Sequence, residues 1–381
     1  MRAFPRLPDD RPPHRPLPRP RQCRPRRPSP SRGHHCHGTP EKGRLLTALY
    51  GKWSLGGLGT AGYPTRRGFD DWFGFFSQVH AHTYYPEHLL ENDREFLVSG
   101  NFGAKKTTYA PDLFTRRALD FINKNPDPFF LHLCYTIPHA NNEVGRDTGN
   151  GMEVPDDAPY KGKSWPQQER NFAAMITRMD RDIGRLLAAL KQNGQAENTL
   201  VLFTSDNGPH QEGGHDPAFF KSTGPLRGIK RDLYEGGIRV PGLAWWPGRV
   251  QPAQVSNHPW AFWDFLPTAC DLAGIDAPSN LDGLSFAPAL FGKPAKQHEY
   301  FYWEFHERGF HQAVRMGDWK GVRLGSREPI ELYNLAKDVG EAENVAARHP
   351  DIVRRIEAIL AQARTDSQLF PIKEAPESAN P

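Results

Sequence analysis

Five residues carry side chains suited to handling an anion and a cation side by side: Lys52, His139, Asp206, Asn207 and Lys230. Four of them follow apolar runs that read as buried strands. Leu45 to Tyr50 precedes Gly51-Lys52-Trp53, Phe129 to Tyr135 precedes Pro138-His139, and Thr199 to Thr204 precedes Ser205-Asp206-Asn207-Gly208. Open parallel sheets bind ligands beyond the carboxyl ends of their strands, so these residues are expected to converge. One carboxylate and one amide oxygen suit a hard cation such as Ca²⁺ or Mg²⁺, although two such ligands cannot hold it alone. The same Asp-Asn-Gly triplet also makes an ordinary Asx turn.

Lys230 lies in a stretch, Gly224 to Pro241, that combines Arg227, Lys230, Arg231 and Arg239 with Gly224, Gly228, Gly236 and Gly237. Cations on a backbone that permits close approach suit an anion pocket. A basic, glycine-rich surface loop has the same composition.

The elements that must position these groups alternate. A helix is expected from about Pro111 to Asn123, with Phe114, Ala118, Phe121 and Ile122 on one face. A longer helix carries Phe172, Met175, Ile176, Met179, Ile183, Leu186, Leu187 and Leu190 at helical spacing and stops at Asn193-Gly194. Ser164 and Gln167 have the spacing of a capping box at its start. The run Thr199 to Thr204 reads as a doubly buried strand. Strand, helix and strand in alternation predict an α/β fold: a mostly parallel sheet sandwiched by helices. After about Gly274 the style changes to aromatic and β-branched runs at 300–305, 312–315 and 319–324, with a Met316-Gly317-Asp318 turn and a further run at 331–335. These predict a smaller carboxyl-terminal antiparallel subdomain, closed by an amphipathic helix over roughly Asp351 to Arg364. The expected organisation is thus 1–42, 43–274 and 275–381.

The chain has 381 residues and a formal net charge of +4. Residues 1–42 hold ten arginines and Lys42 against Asp9, Asp10 and Glu41, so this segment carries +8 and the rest −4. The basicity belongs to a Pro/Arg-rich tail, which is expected to be disordered because it cannot bury enough apolar surface. It does not argue for nucleic-acid binding. No run approaches the roughly 18 apolar residues of a membrane span, and the tail lacks the apolar core of a signal peptide. Cys23, Cys36, Cys134 and Cys270 are too scattered for a disulfide framework or a zinc site; Cys134 and Cys270 read as buried thiols.

The order of motifs resembles the sulfatase family, arylsulfatase branch, of the alkaline-phosphatase-like superfamily. The matching segments are Gly51-Lys52-Trp53-Ser54-Leu55-Gly56, Gly68-Phe69-Asp70, Phe129 through Asn141, Ser205-Asp206-Asn207-Gly208, Pro225 through Lys230, Tyr234 through Pro241, and Leu281-Asp282-Gly283. Together they cover about Gly43 to Pro371. The resemblance implies hydrolysis of a sulfate ester of a small molecule or glycan. It also implies one bound Ca²⁺ with Asp206 and Asn207 as ligands, and a cysteine-derived formylglycine nucleophile. Lys52, His139 and Lys230 then take the sulfate-binding and acid/base roles. The family is commonly periplasmic or secreted; no membrane or nucleic-acid partner is implied.

Three departures stand out. Ser54 occupies a position where the family has histidine. The family's first strand, which ends in two metal-binding aspartates, has no counterpart here. Cys23-Arg24-Pro25-Arg26-Arg27 satisfies Cys-x-Pro-x-Arg and follows Asp9-Asp10, yet Cys23 lies only 29 residues before Lys52, and a Pro/Arg-rich tail produces such matches by chance. The change of style near Gly43 is read as loss or replacement of the authentic segment. Rival readings are a binding protein that keeps the fold, a phosphodiesterase or phosphonate hydrolase of the same superfamily, and nucleic-acid binding by the tail.

Overall fold

The computed structural model describes residues 45–126, 128–307 and 309–372. The expectations for the tail, for Asp9-Asp10 and for Cys23 lie outside them.

A five-stranded sheet forms from β1 (Leu46–Gly51), β2 (Asp71–Gly74), β3 (His88–Glu91), β4 (Arg94–Leu97) and β5 (Phe129–Cys134), in the order β4-β3-β2-β1-β5. β1 runs parallel to both β2 and β5, whereas β2-β3 and β3-β4 are antiparallel. Side chains alternate across a strand, and β1 is apolar on both faces. Ala48 and Tyr50 face a core with Phe114, Ala118 and Phe121, while Leu49 joins Trp72, Leu90 and Tyr63 on the other side. The first core is covered by α1 (Ala110–Lys124); the short α2 (Asn142–Thr148) follows β5, and α3 (Gln167–Gln192) completes the cover with Leu186, Ala189 and Leu190.

The helix α3 starts two residues later than the Ser164 capping box implies. Its N-cap is Pro166, with no side-chain cap. A proline ring disfavours the helical conformation of the residue before it, so Trp165 cannot serve as the first helical residue and the helix begins after the proline. Its end is as expected, with Gly194 at φ 68°.

β6 (Val201–Thr204) also differs from expectation. It pairs antiparallel with β7 (Gly242–Trp245) in a separate two-stranded sheet; α4 (Glu235–Ile238) lies between them in sequence. All four β6 residues are half-buried, because β7 is the only strand paired with it among the described residues.

Two helices, α5 (Phe265–Ala273) and α6 (Ala287–Leu290), lead to the antiparallel meander β8 (Phe301–Phe305), β9 (His311–Met316), β10 (Trp319–Arg323) and β11 (Glu331–Asn334), and α7 (Pro350–Gln362) follows. α7 packs Ile352, Ile356 and Leu360 on Val314, Ile330 and Leu332. The opposite face of the meander, Ala313, Val322 and Tyr333, holds Leu233 and Tyr234. Beneath that contact the fully buried Lys320 reaches Glu235 at 2.9 Å and Glu341 at 3.0 Å. The meander therefore anchors the loop that carries Lys230.

Candidate functional site

Each site residue is set by its backbone before its side chain matters. Gly51 ends β1 at φ 112°, where a Cβ would stand 1.9 Å from the Cys134 carbonyl oxygen; only glycine allows β1 and β5 to close this tightly. The next amide, of Lys52, donates to that same carbonyl at 3.0 Å. Beyond β5, the His139 amide donates to the Thr136 carbonyl at 2.8 Å. The buried Tyr84 hydroxyl ties the same turn down through the carbonyls of Thr136 and His139. Beyond β6, Gly208 donates to Gly237 at 2.9 Å and Lys230 donates to Pro209 at 2.8 Å. The Asp-Asn-Gly turn and the Lys230 loop are thus stitched together.

The side chains of Lys230 and His139 meet. The Lys230 ammonium lies 2.9 Å from His139 Nε2 and 2.9 Å from Glu212 Oε2. His139 Nδ1 faces the Ala140 carbonyl at 2.7 Å; a carbonyl only accepts, so Nδ1 carries the hydrogen and Nε2 accepts from Lys230. Burial, and then the Lys230 charge, push the His139 imidazole down to about 4, so it is neutral near pH 7. Glu212 Oε2 is also 3.2 Å from His139 Nε2, and Oε1 accepts from Arg231 Nη1 at 2.8 Å. Burial alone would raise the Glu212 carboxyl, but hydrogen bonds from Lys230 and Arg231 outweigh it and hold the group near 2.

Lys52 shares this field. Burial lowers its ammonium below the usual lysine range, Asp206 and Glu212 oppose that, and Lys230 adds to it. Lys52, His139, Lys230 and Asp206 therefore occupy one electrostatic neighbourhood at the strand ends. Asn207 comes with Asp206 on the Ser205–Gly208 turn, but its amide nitrogen is turned to the Gly208 carbonyl at 2.8 Å. Ser54 is exposed and donates to Gln78 at 2.5 Å.

Three further residues complete the cluster, of which Arg231 is one of the cations already noted in the stretch 224–241. Glu212 is the carboxylate that joins His139, Lys230 and Arg231. Arg231 also reaches Glu307. His82 stacks on His139 with ring centroids 5.2 Å apart and planes at 9°, and its Nδ1 pairs with Glu143 at 3.1 Å. The one sequence signal for Glu212 is its place between the Asp-Asn-Gly turn and the Gly213-Gly214 pair.

Among the described residues no three His, Cys, Asp or Glu side chains are grouped to hold a metal ion. Asp206 and Asn207 supply at most three side-chain oxygens, whereas Ca²⁺ takes six to eight, so these two residues do not by themselves form a calcium site. Cys134 ends β5 with a thiol that burial pushes up to about 12, and Cys270 is buried within α5. Neither is followed by the x-Pro-x-Arg of a formylglycine segment.

The ends of β1, β5 and β6 and the loop that carries Lys230 bring two lysines, a histidine and a carboxylate into one neighbourhood of an α/β protein. The chain belongs to the sulfatase family: the Sulfatase family model matches residues 44–275, and the model for the N-sulphoglucosamine sulphohydrolase C-terminal region matches 229–366. It is 29% identical to the uncharacterized sulfatase YdeN of Escherichia coli, over 82% of this chain and 58% of that protein. It is 31% identical to human N-acetylgalactosamine-6-sulfatase, over 69% of this chain and 49% of that one. Among solved structures, Ps i-CgsB in complex with k-i-k-neocarrahexaose superposes with a TM-score of 0.70 at 27% identity, covering 87% and 74% of the two chains. The chain spans about half the length of the curated relatives it matches.

Proposed function

We propose that the Lys52–His139–Lys230 cluster binds the sulfate group of a sulfated saccharide, and that the chain serves in hydrolysis of that ester to an alcohol and inorganic sulfate. The observation that carries this reading is the Lys230 ammonium held at 2.9 Å from both His139 and a carboxylate, with a second ammonium, Lys52, in the same field. Two cations and an imidazole converge with favour when an anion or a nearby carboxylate neutralises them; Glu212 is shared between Lys230 and Arg231, which leaves cationic charge for a bound anion to balance. A saccharide is favoured by the neocarrahexaose bound to Ps i-CgsB and by the name of the N-acetylgalactosamine-6-sulfatases.

In this reading Lys52 and Lys230 balance the charge on the non-bridging sulfate oxygens. When an arriving anion draws the Lys230 ammonium away, His139 Nε2 is released to hold a proton for the departing alcohol oxygen. Its Nδ1 stays fixed on the Ala140 carbonyl. The described residues supply neither a complete metal shell nor a formylglycine segment, and no step is assigned to either.

The test is sulfate release, measured by ion chromatography, from galactose 6-sulfate and phenyl sulfate, with phenyl phosphate in parallel. Release from the sulfate esters, reduced at least about 100-fold in Lys230→Met and His139→Ala, supports the proposal. Faster release of phosphate from phenyl phosphate would turn it to hydrolysis of phosphate esters instead. Binding without release would limit the chain to recognition.

A further inference from the structure

Arg231 has a backbone that its side chain does not favour. The Asp232 amide donates to the Ile229 carbonyl at 2.9 Å, closing a four-residue turn in which Arg231 is the third residue with φ 83°. A turn with positive φ at that position calls for glycine or asparagine. Non-glycine residues held there cost energy and cluster where a side chain is needed for function.

The place to which that side chain is sent is specific. Arg231 spans Glu212, on the loop after β6, and Glu307, just beyond β8. Nη2 has no hydrogen-bond partner among the described residues. The three charged groups line an open cleft of about 450 Å³ together with Gln211, Ile229 and Lys230. Lys230 belongs to both this cleft and the anion cluster, so the cleft adjoins the place where a sulfate would sit.

The lining selects a chemistry. Glu212 and Arg231 are largely covered, at 15% and 23% side-chain exposure, and they neutralise one another, so the wall offers no net charge to a second anion. It offers alternating acceptors and donors: two carboxylates with spare lone pairs, a guanidinium with a free N–H edge, and an amide. One aliphatic side chain, Ile229, is too little for an aryl ring. A hydroxyl-rich ring has donors and acceptors to match these groups.

We infer that Arg231, with Glu307 opposite, is a specificity-determining residue that hydrogen-bonds the hydroxyls of the sugar carrying the sulfate, so that sugar sulfates are preferred over aryl sulfates. This inference rests on the sulfate reading of Lys230. The strained turn is kept because glycine there would abolish the recognition.

The test is isothermal titration of the full chain with galactose 6-sulfate and with phenyl sulfate, in the wild type and in Arg231→Met, Arg231→Gly, Glu307→Gln and Lys230→Met. Wild type is expected to bind the sugar sulfate more tightly. Both Arg231 variants should lose about tenfold or more in affinity for it, and at least threefold less for phenyl sulfate. Glu307→Gln should show the same bias. Arg231→Gly should melt no lower than wild type, since it relieves the turn; a purely structural arginine would give a lower melting temperature and equal losses for both ligands. Equal losses, no loss, or no wild-type preference for the sugar sulfate overturns the inference. Unchanged binding of both ligands by Lys230→Met is a different result: it overturns the sulfate reading itself, and this inference with it.

Discussion

Lys230 donates to His139 Nε2 across 2.9 Å, so the imidazole can take a proton on that atom only when the ammonium is drawn elsewhere. Anion binding and protonation of His139 are thereby coupled. The groups that face the ring are Lys230, Glu212, His82 and His210.

The first prediction is a pH dependence. In the free protein His139 is held at about 4, against an ordinary 6.5. A sulfate beside it stabilises the imidazolium and raises that value, so sulfate affinity should rise as pH falls from 7 toward 4. Titrations in two buffers of different ionisation heat should show proton uptake on binding near pH 5.5. The same depressed value works against the unliganded fold in acid. Between pH 6.5 and 4 the unfolded chain takes up a proton that the folded chain refuses, at a cost of up to about 3 kcal/mol. Affinity that does not change between pH 7 and 5 would separate His139 from the anion site.

Gly51→Ala is expected to be severe. The added Cβ would stand 1.9 Å from the Cys134 carbonyl oxygen at φ 112°, which forces β1 and β5 apart. A loss of about 3 kcal/mol or more in urea denaturation is expected. A loss under about 1 kcal/mol would show that the strand ends can separate without consequence.

Lys320→Met tests the anchor beneath the Lys230 loop. It leaves Glu235 and Glu341, both essentially inaccessible, without the buried cation they share. Roughly 3–5 kcal/mol should be lost at pH 7. Burial already raises the Glu341 carboxyl, and the variant should raise it further. The folded variant then binds a proton that the unfolded chain does not, so its stability should recover as pH falls toward 5. Adding Glu341→Gln to Lys320→Met should restore part of the loss; no recovery by either route would mean the triad is not the anchor.

Much of the fold is legible in the sequence. The ends of β1 and β5 follow from continuous apolar runs stopped by glycine or proline, and the Met316-Gly317-Asp318 turn joins β9 to β10 as expected, with Gly317 at φ 58°. Two readings failed for local reasons. Pro166 forbids the helix start that Ser164 suggests, and the apolar run of β6 pairs antiparallel rather than lying doubly buried in the main sheet. Glu212, and the partners of Arg231, were not legible because their meaning is a long-range contact. Lys230 lies 18 residues from Glu212, and Arg231 lies 76 from Glu307; neither spacing has a periodicity to betray it. His82 likewise meets His139 only because two strand-end loops fold over one another.

The central claim is that Lys52, just beyond β1, and Lys230, on the loop between β6 and α4, clasp one sulfate group. Titration of the full chain with galactose 6-sulfate should give one site per chain. Lys52→Met and Lys230→Met should each weaken it by about tenfold or more, the worth of one charge-assisted hydrogen bond, and the double variant should bind too weakly to measure. Wild-type affinity in both single variants would contradict the account.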